Sequence, residues 1–214
     1  MENRYRTMSI LHRLASALDR RDDLPNLELA NEIISRKNKE AVKELVGNLT
    51  TTDKDIASDC IKVLYEIGTQ NPALIAPYHS DFIKLLTHKN NRLQWGAMSA
   101  LNAITLEKPE VIFRNLITLI EVAKKGSVIT TDNLVSILIK LTAIPQYSKD
   151  AFSFLIEQLT ICPTNQLPMY AENALPVINE NNNAIFVKTV TSRIGEIEKE
   201  SKRKRIEKVL KKLG

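Results

Sequence analysis

The sequence predicts an all-α fold, a right-handed superhelix (solenoid) built from about five to six stacked helix pairs. Three observations predict it. A 37-residue offset carries Asp55–Pro72 onto Arg92–Pro109 without a gap, and the apolar pattern recurs twice more at that period. Six glycines and 5% aromatic residues in 214 residues leave little material for the turns of a pocket-rich α/β enzyme, while 43% apolar residues are ample for a core. No useful stretch alternates apolar and polar residues as a half-buried strand would.

The repeated helix, here called B, is read from the matching positions. Ile56, Cys60, Val63, Leu64 and Ile67 fall on Leu93, Ala97, Ala100, Leu101 and Ile104. The third copy supplies Leu134, Ile137, Leu138 and Leu141, and the fourth Ala171, Ala174, Leu175 and Ile178. All have the spacing of one helical face. Between the copies lies a second helix, A. Val42, Leu45, Val46 and Leu49 start the series, Phe82, Ile83 and Leu86 continue it, and Leu116, Leu119, Ile120 and Ala123 follow. With a one-residue shift Leu155, Ile156 and Leu159 complete it.

Asp53, Asn90 or Asn91, and Ser127 or Thr130 are candidate N-caps for the B helices. Asn71-Pro72, Lys108-Pro109 and Ile144-Pro145 are expected to end them, because a residue before proline is steered out of the α region. A degenerate pair flanks each end: 4–20 with 25–36, and 184–198 with 201–213. The units then run 4–36, 38–72, 73–109, 110–145, 147–182 and 183–213, in a single domain without a linker.

Helix pairs of this length resemble HEAT repeats, with armadillo repeats as near relatives. The resemblance is carried best by "NNRLQWGAMSALNAI", Asn90 to Ile104. It has a polar capping turn, a basic residue, and small residues at Ala97 and Ala100 before Leu101. Arg92 precedes the apolar Leu93, whereas the family has its basic residue just after that position. The third and fourth units keep only the apolar skeleton. The resemblance covers about residues 38–182, and it implies a scaffold whose B helices line a binding surface.

Helical geometry selects the face opposite the repeated core. It carries Ser58, Lys62, Tyr65 and Thr69 in the first copy, then Trp95, Ser99, Asn102 and Leu106 in the second. The third and fourth copies supply Asp132, Ser136, Ile139 and Ala143, then Met169, Asn173, Pro176 and Glu180. An aromatic and methionine patch in a polar surround has the composition of an interface hot spot. Trp95, Tyr65 and Met169 are the expected partner anchors, with Lys62, Ser99, Asp132, Ser136 and Asn173 giving polar definition. Trp95 has two dispositions open to it: outward as a contact residue, or sideways against a neighbouring B helix.

Enzyme chemistry finds little support. There is no Walker A, GxGxxG, HExxH or GxSxG pattern. His12, His79 and His88 read as surface or edge residues, Cys60 as a buried inert thiol, and Asp59, Glu66 and Asp132 as solvated face residues. No cofactor and no metal is expected. DNA-alkylation-repair glycosylases share HEAT-like repeats but line their cleft with several tryptophans and a carboxylate one turn away. Here Trp95 is the only tryptophan and Ser99 stands one turn on. The alternative to a protein-binding scaffold is a nucleic-acid-binding protein, of this glycosylase type or simply DNA-binding, that uses the basic turns at Lys54, Lys89, Arg92, Lys124 and Lys125 and the C-terminal tail.

Net charge is +5, but Lys199–Gly214 holds eight basic and two acidic residues, leaving the rest at −1. Lys202, Arg203, Lys204, Arg205 and Lys208 are candidates for an anionic partner. Ile206, Val209, Leu210 and Leu213 have the spacing of a docked stripe, so the same segment reads as a cap on the last repeat. Two unpatterned cysteines suit a reducing compartment. The charged N-terminal segment lacks a signal-peptide pattern, and no apolar run is long enough to span a membrane. A cytoplasmic monomer is expected.

Overall fold

The structure, a computed structural model, describes residues 9–213. Among these residues it holds thirteen α-helices, short 3-10 turns and no strand. The chain divides into two compact units, residues 1–130 and 131–214.

The first unit contains α1 (Leu24–Arg36), α2 (Lys39–Gly47), α3 (Lys54–Gln70), α4 (Pro72–Ile75), α5 (His79–Leu85), α6 (Asn91–Ala103), α7 (Pro109–Arg114) and α8 (Leu116–Lys125). The B positions behave as the repeat demands. Cys60, Val63, Leu64 and Ile67 on α3, and Ala97, Ala100 and Leu101 on α6, are wholly buried. So are Val42, Leu45, Phe82, Leu86 and Leu119 from the A layer. α1, α3 and α6 lie side by side, while α2, α4 and α5 pack beneath them.

Helix ends follow from local chemistry. The Asp53 carboxylate accepts from the N–H groups of Asp55 and Ile56, and the Asn90 side-chain oxygen from Arg92 N–H at 2.9 Å. Each satisfies donors that a helix start leaves without partners. Pro77 cannot donate, so the second A helix splits into α4, a 3-10 turn over Ala76–Tyr78, and α5. The third splits at Asn115, between α7 and α8. Lys108-Pro109 does not end α6, which stops at Ala103; Pro109 instead opens α7 at its first turn, where a missing N–H costs nothing.

The expected first helix, residues 4–20, is not one. Residues 4–8 lie outside the described residues, and the remainder forms two 3-10 turns, Leu11–Arg13 and Ser16–Leu18. The reason is tertiary. Ala15 N–H donates to Asn26 Oδ1 at 3.0 Å and Ser16 N–H to Asp59 Oδ2 at 2.7 Å, so these amides bond side chains on α1 and α3.

The second unit holds most of α9 (Val128–Thr142), then α10 (Ser148–Ile161), α11 (Leu167–Ala174), α12 (Asn183–Ser192) and α13 (Glu200–Lys211). Ser127 Oγ caps α9 by accepting from Thr130 N–H at 3.4 Å. α10 packs on α12, and α11 on α13. The core is Leu134, Ile137, Leu138, Leu141, Leu155, Leu159, Tyr170, Ala171, Phe186 and Ile206. The fourth B helix is shorter than expected: Pro176 ends its ladder, and Leu175–Val177 is a 3-10 turn. Leu175 and Ile178, expected in the core, are only half-buried there.

Candidate partner-binding site

α3 and α6 cross closely because α6 has no side chain at Gly96. A Cβ there would stand 2.6 Å from Ile61 Cγ1. This brings the non-core faces of the two helices side by side. Tyr65 on α3 and Trp95 on α6 meet with ring centroids 5.6 Å apart and planes tilted by 53°. Tilted ring pairs at this distance are favourable beyond the area they bury. Trp95 and Tyr65 are both half-buried. Trp95 thus combines its two expected dispositions: it leans on the neighbouring B helix and keeps part of its surface in water. Ser99 Oγ donates to the Trp95 carbonyl at 3.0 Å, so this serine is tied into α6.

Lys62 sits one turn before Glu66 and beneath Tyr65. Its ammonium lies 2.9 Å from Glu66, 3.3 Å from Asp23 and 5.0 Å from the centre of the Tyr65 ring. Burial opposes the Lys62 charge, but Tyr65 and Glu66 outweigh it, and the ammonium pKa is raised. Burial also raises the Tyr65 pKa, against the pull of Lys62.

A cavity of about 70 Å³ opens here between Asp23, Ser58, Asp59, Ile61, Lys62, Tyr65, Arg92 and Trp95. A larger one of about 360 Å³ shares Asp23, Asp59 and Arg92 and extends to Asp19, Arg20, Arg21, Asp22 and Asp55. Ser58 was expected to face outward. It is 7% exposed, and its hydroxyl donates back to the Lys54 carbonyl.

Asp59 and Glu66 are not simply solvated. Asp59 accepts from Ser16 N–H and, at 2.8 Å, from Asn26 Nδ2, while Glu66 holds Lys62. Sequence reasoning missed Asp23, Asp59 and Arg92 as cleft residues. Arg92 was legible as a turn cation, but Asp23 reaches the site only through the packing of α1 on α3.

In the second unit, Asp132 is likewise engaged: the buried Tyr170 hydroxyl donates to its Oδ1 at 2.5 Å. Ser136 and Met169 are half-buried and Asn173 is exposed. Burial first, and then the adjacent Asp132 charge, raise the Tyr170 pKa. A raised folded-state value means full stability below the ordinary tyrosine pKa of about 10, lost as pH rises through the folded value. Tyr65 acts in the same direction. Stability should therefore fall above about pH 10. Tyr170→Phe should cost about 1–2 kcal/mol at neutral pH by leaving Asp132 short of a donor. It should also flatten the alkaline decline in urea-denaturation curves, and an unchanged alkaline limb would count against this assignment.

Cys60 and Cys162 are free and buried. Burial, then the charges of Asp59 and Glu44, push the Cys60 thiol up to about 12, which suits a core residue and not a nucleophile.

No protein-family model and no curated protein matches the sequence. Solved structures do. A designed armadillo repeat protein aligns with a TM-score of 0.64 at 15% identity, over 95% of this chain and 100% of its own. Two engineered proteins solved by the Northeast Structural Genomics Consortium align at TM-scores of 0.63 and 0.61. They are 18% and 19% identical, each over 96% of this chain, and over 97% and 99% of their own.

The fold is a HEAT/armadillo-like helical repeat.

In this HEAT/armadillo-like fold the basic helix α13 packs on α11 and α12. Ile206 and Val209 of α13 are buried against the preceding repeat, with Leu210 and Leu213 half-buried. Most of the candidate anion-binding cations are already engaged. Lys202 donates to the Asn165 side chain at 2.6 Å, and Arg203 to the Ile197 carbonyl at 2.8 Å. Lys204 pairs with Glu200 at 2.6 Å, and Arg205 grips both oxygens of Glu172 at 2.8 and 2.5 Å. Lys208 is exposed. α13 is thus tied to its neighbours by part of its own charge. Among the described residues no helix is long and apolar enough to cross a membrane.

Proposed function

We propose that this protein is a non-catalytic scaffold or adaptor that binds a protein partner through the B-helix face of its repeats. The observation that carries this reading is the half-exposed Trp95–Tyr65 pair standing over a cleft with a charged rim. Aromatic anchors that border a small pocket, ringed by polar groups, are the arrangement from which interface hot spots are made. Lys62 and Ser99 define the polar surround. In the second unit, the corresponding B-helix positions Met169, Asp132, Ser136 and Asn173 form a further contact set. The engagement of the tail cations favours a protein partner over nucleic acid. Two free buried thiols suit the reducing cytoplasm, where we place the protein as a monomer.

The reading is tested by affinity capture with wild type and Trp95→Ala, their helix content matched by circular dichroism. A partner bound through this face should lose about 30-fold or more in affinity, the scale of a hot-spot truncation. A partner captured equally by both forms would exclude Trp95 as the anchor.

A further inference from the structure

Ser9, the first described residue, stands in a patterned stretch. In "RYRTMSI" Arg4 and Arg6 precede it by five and three residues, and the apolar Ile10 follows it. No other serine or threonine in the chain has arginine at both of those places. Successive side chains of an extended segment alternate, so two arginines in this spacing share one face. A serine kinase that selects basic substrates reads such a face with carboxylates, each meeting a guanidinium through two parallel hydrogen bonds. The acceptor must also be open to the enzyme. Ser9 is exposed and lies outside every helix.

In the folded chain one carboxylate holds this serine. Ser9 Oγ donates to Glu44 Oε1 at 2.5 Å, and Ile10 N–H donates to Glu44 Oε2 at 3.3 Å. Leu11 N–H donates in turn to Ser9 Oγ at 3.3 Å. Glu44 lies on α2 and forms no ion pair among the described residues. Farther along, other groups take over. Arg13 pairs with Glu32 at 2.7 Å, and Leu14 is wholly buried. Ala15 and Ser16 are bonded to Asn26 and Asp59. Glu44 therefore clamps only the outer end of this segment, residues 9–11.

We propose that Ser9 is a phosphorylation site for an arginine-directed serine kinase, and that the phosphate releases residues 9–11 from Glu44. Ser9 Oγ attacks the γ-phosphorus of a nucleoside triphosphate bound to the kinase. The Oγ–P bond forms, the bond from that phosphorus to the bridging β,γ-oxygen breaks, the nucleoside diphosphate leaves, and the hydroxyl proton passes to the kinase's base. The product carries about −1.5 to −2 charges at neutral pH and has only acceptor oxygens to offer. Ser9 thereby changes from a donor to Glu44 into a like-charged neighbour at hydrogen-bond distance. The release stops at Leu14, which keeps its place in the core.

Wild type, Ser9→Ala and Arg6→Ala are incubated with a serine kinase selective for arginine at both places and with γ-labelled ATP. Wild type should take up about one phosphate per chain, and Ser9→Ala none. Arg6→Ala should be labelled about tenfold more slowly, for want of one guanidinium fork. Hydrogen exchange followed by NMR then reads the release. Phosphorylation should speed exchange at Ile10 and Leu11 by about tenfold and leave Ala15 and Ser16 unchanged. In Glu44→Gln the acceleration should be smaller, because the amide is neutral and can donate to the phosphate. No label in wild type, or label persisting in Ser9→Ala, would overturn the site. Unchanged exchange at Ile10 and Leu11, or an equal acceleration in phosphorylated Glu44→Gln, would overturn the release.

Discussion

Arg193→Met should cost the second unit about 3 kcal/mol and lower its unfolding midpoint in urea, followed by circular dichroism. Arg193 is 9% exposed and closes the end of α10. Its Nη1 donates to the carbonyls of Leu159 at 3.0 Å and Cys162 at 2.7 Å. Those carbonyls belong to a helix terminus, where no intrahelical donor remains. Methionine fills much of the volume but leaves both without their donor, at about 1–2 kcal/mol each. The ion pair to Glu196, 2.7 Å long, is the lesser part, because Glu196 is half in water. Glu196→Gln therefore serves as the control, with an expected loss below about 1 kcal/mol. Equal losses from the two substitutions would show that the ion pair, and not the carbonyl capping, carries the effect.

Gly96→Val should destabilise the first unit by about 2–3 kcal/mol and disturb the candidate site at the same time. Valine has a slightly better helix propensity than glycine, so local preference alone predicts a small gain. Packing decides otherwise. The added Cβ would fall 2.6 Å from Ile61 Cγ1 and 3.1 Å from Cγ2, and Ile61 is only 1% exposed. The contact is with the branch point of a buried side chain, so α3 and α6 must move apart. That movement separates Tyr65 from Trp95. The expected result is a lower thermal midpoint together with a changed Trp95 emission spectrum. A stable variant with unaltered emission would show that the helices do not depend on this close approach.

The helical repeat was legible because burial in such a fold is periodic. Each B helix turns the same positions toward the layer beneath, and Cys60, Val63, Leu64 and Ile67 reappear in the same role 37 residues later as Ala97, Ala100, Leu101 and Ile104. The capping residues were legible for a similar reason. Asp53 and Asn90 act on amides two or three positions away, so their chemistry is contained in the local sequence. The helical projection placed Tyr65 and Trp95 on the side away from the core, and it placed Ser58 there wrongly. An angle about one helix axis carries no knowledge of which neighbour crosses that face.

The roles of the charged residues were the least legible part. Asp59 and Asp132 read as solvated carboxylates, yet one pins the segment at Ser16 while the other holds the Tyr170 hydroxyl. Their partners lie 43 and 38 residues away along the chain. The basic tail reads in sequence both as an anion site and as a cap; that Lys202, Arg203, Lys204 and Arg205 each have an intramolecular partner is seen only in the structure.

By itself the sequence determined the all-α class, the repeat period, the caps at Asp53 and Asn90, and the apolar stripes of the first three B helices. These depend on spacings within one turn or one repeat. Only the tertiary structure decided that Trp95 shares its surface between Tyr65 and solvent, that Gly96 sets the approach of α3 to α6, and that Arg92 borders the cleft beside them. Those properties belong to pairs of helices, and a pair is defined by which atoms approach within a few ångströms once the layers have packed.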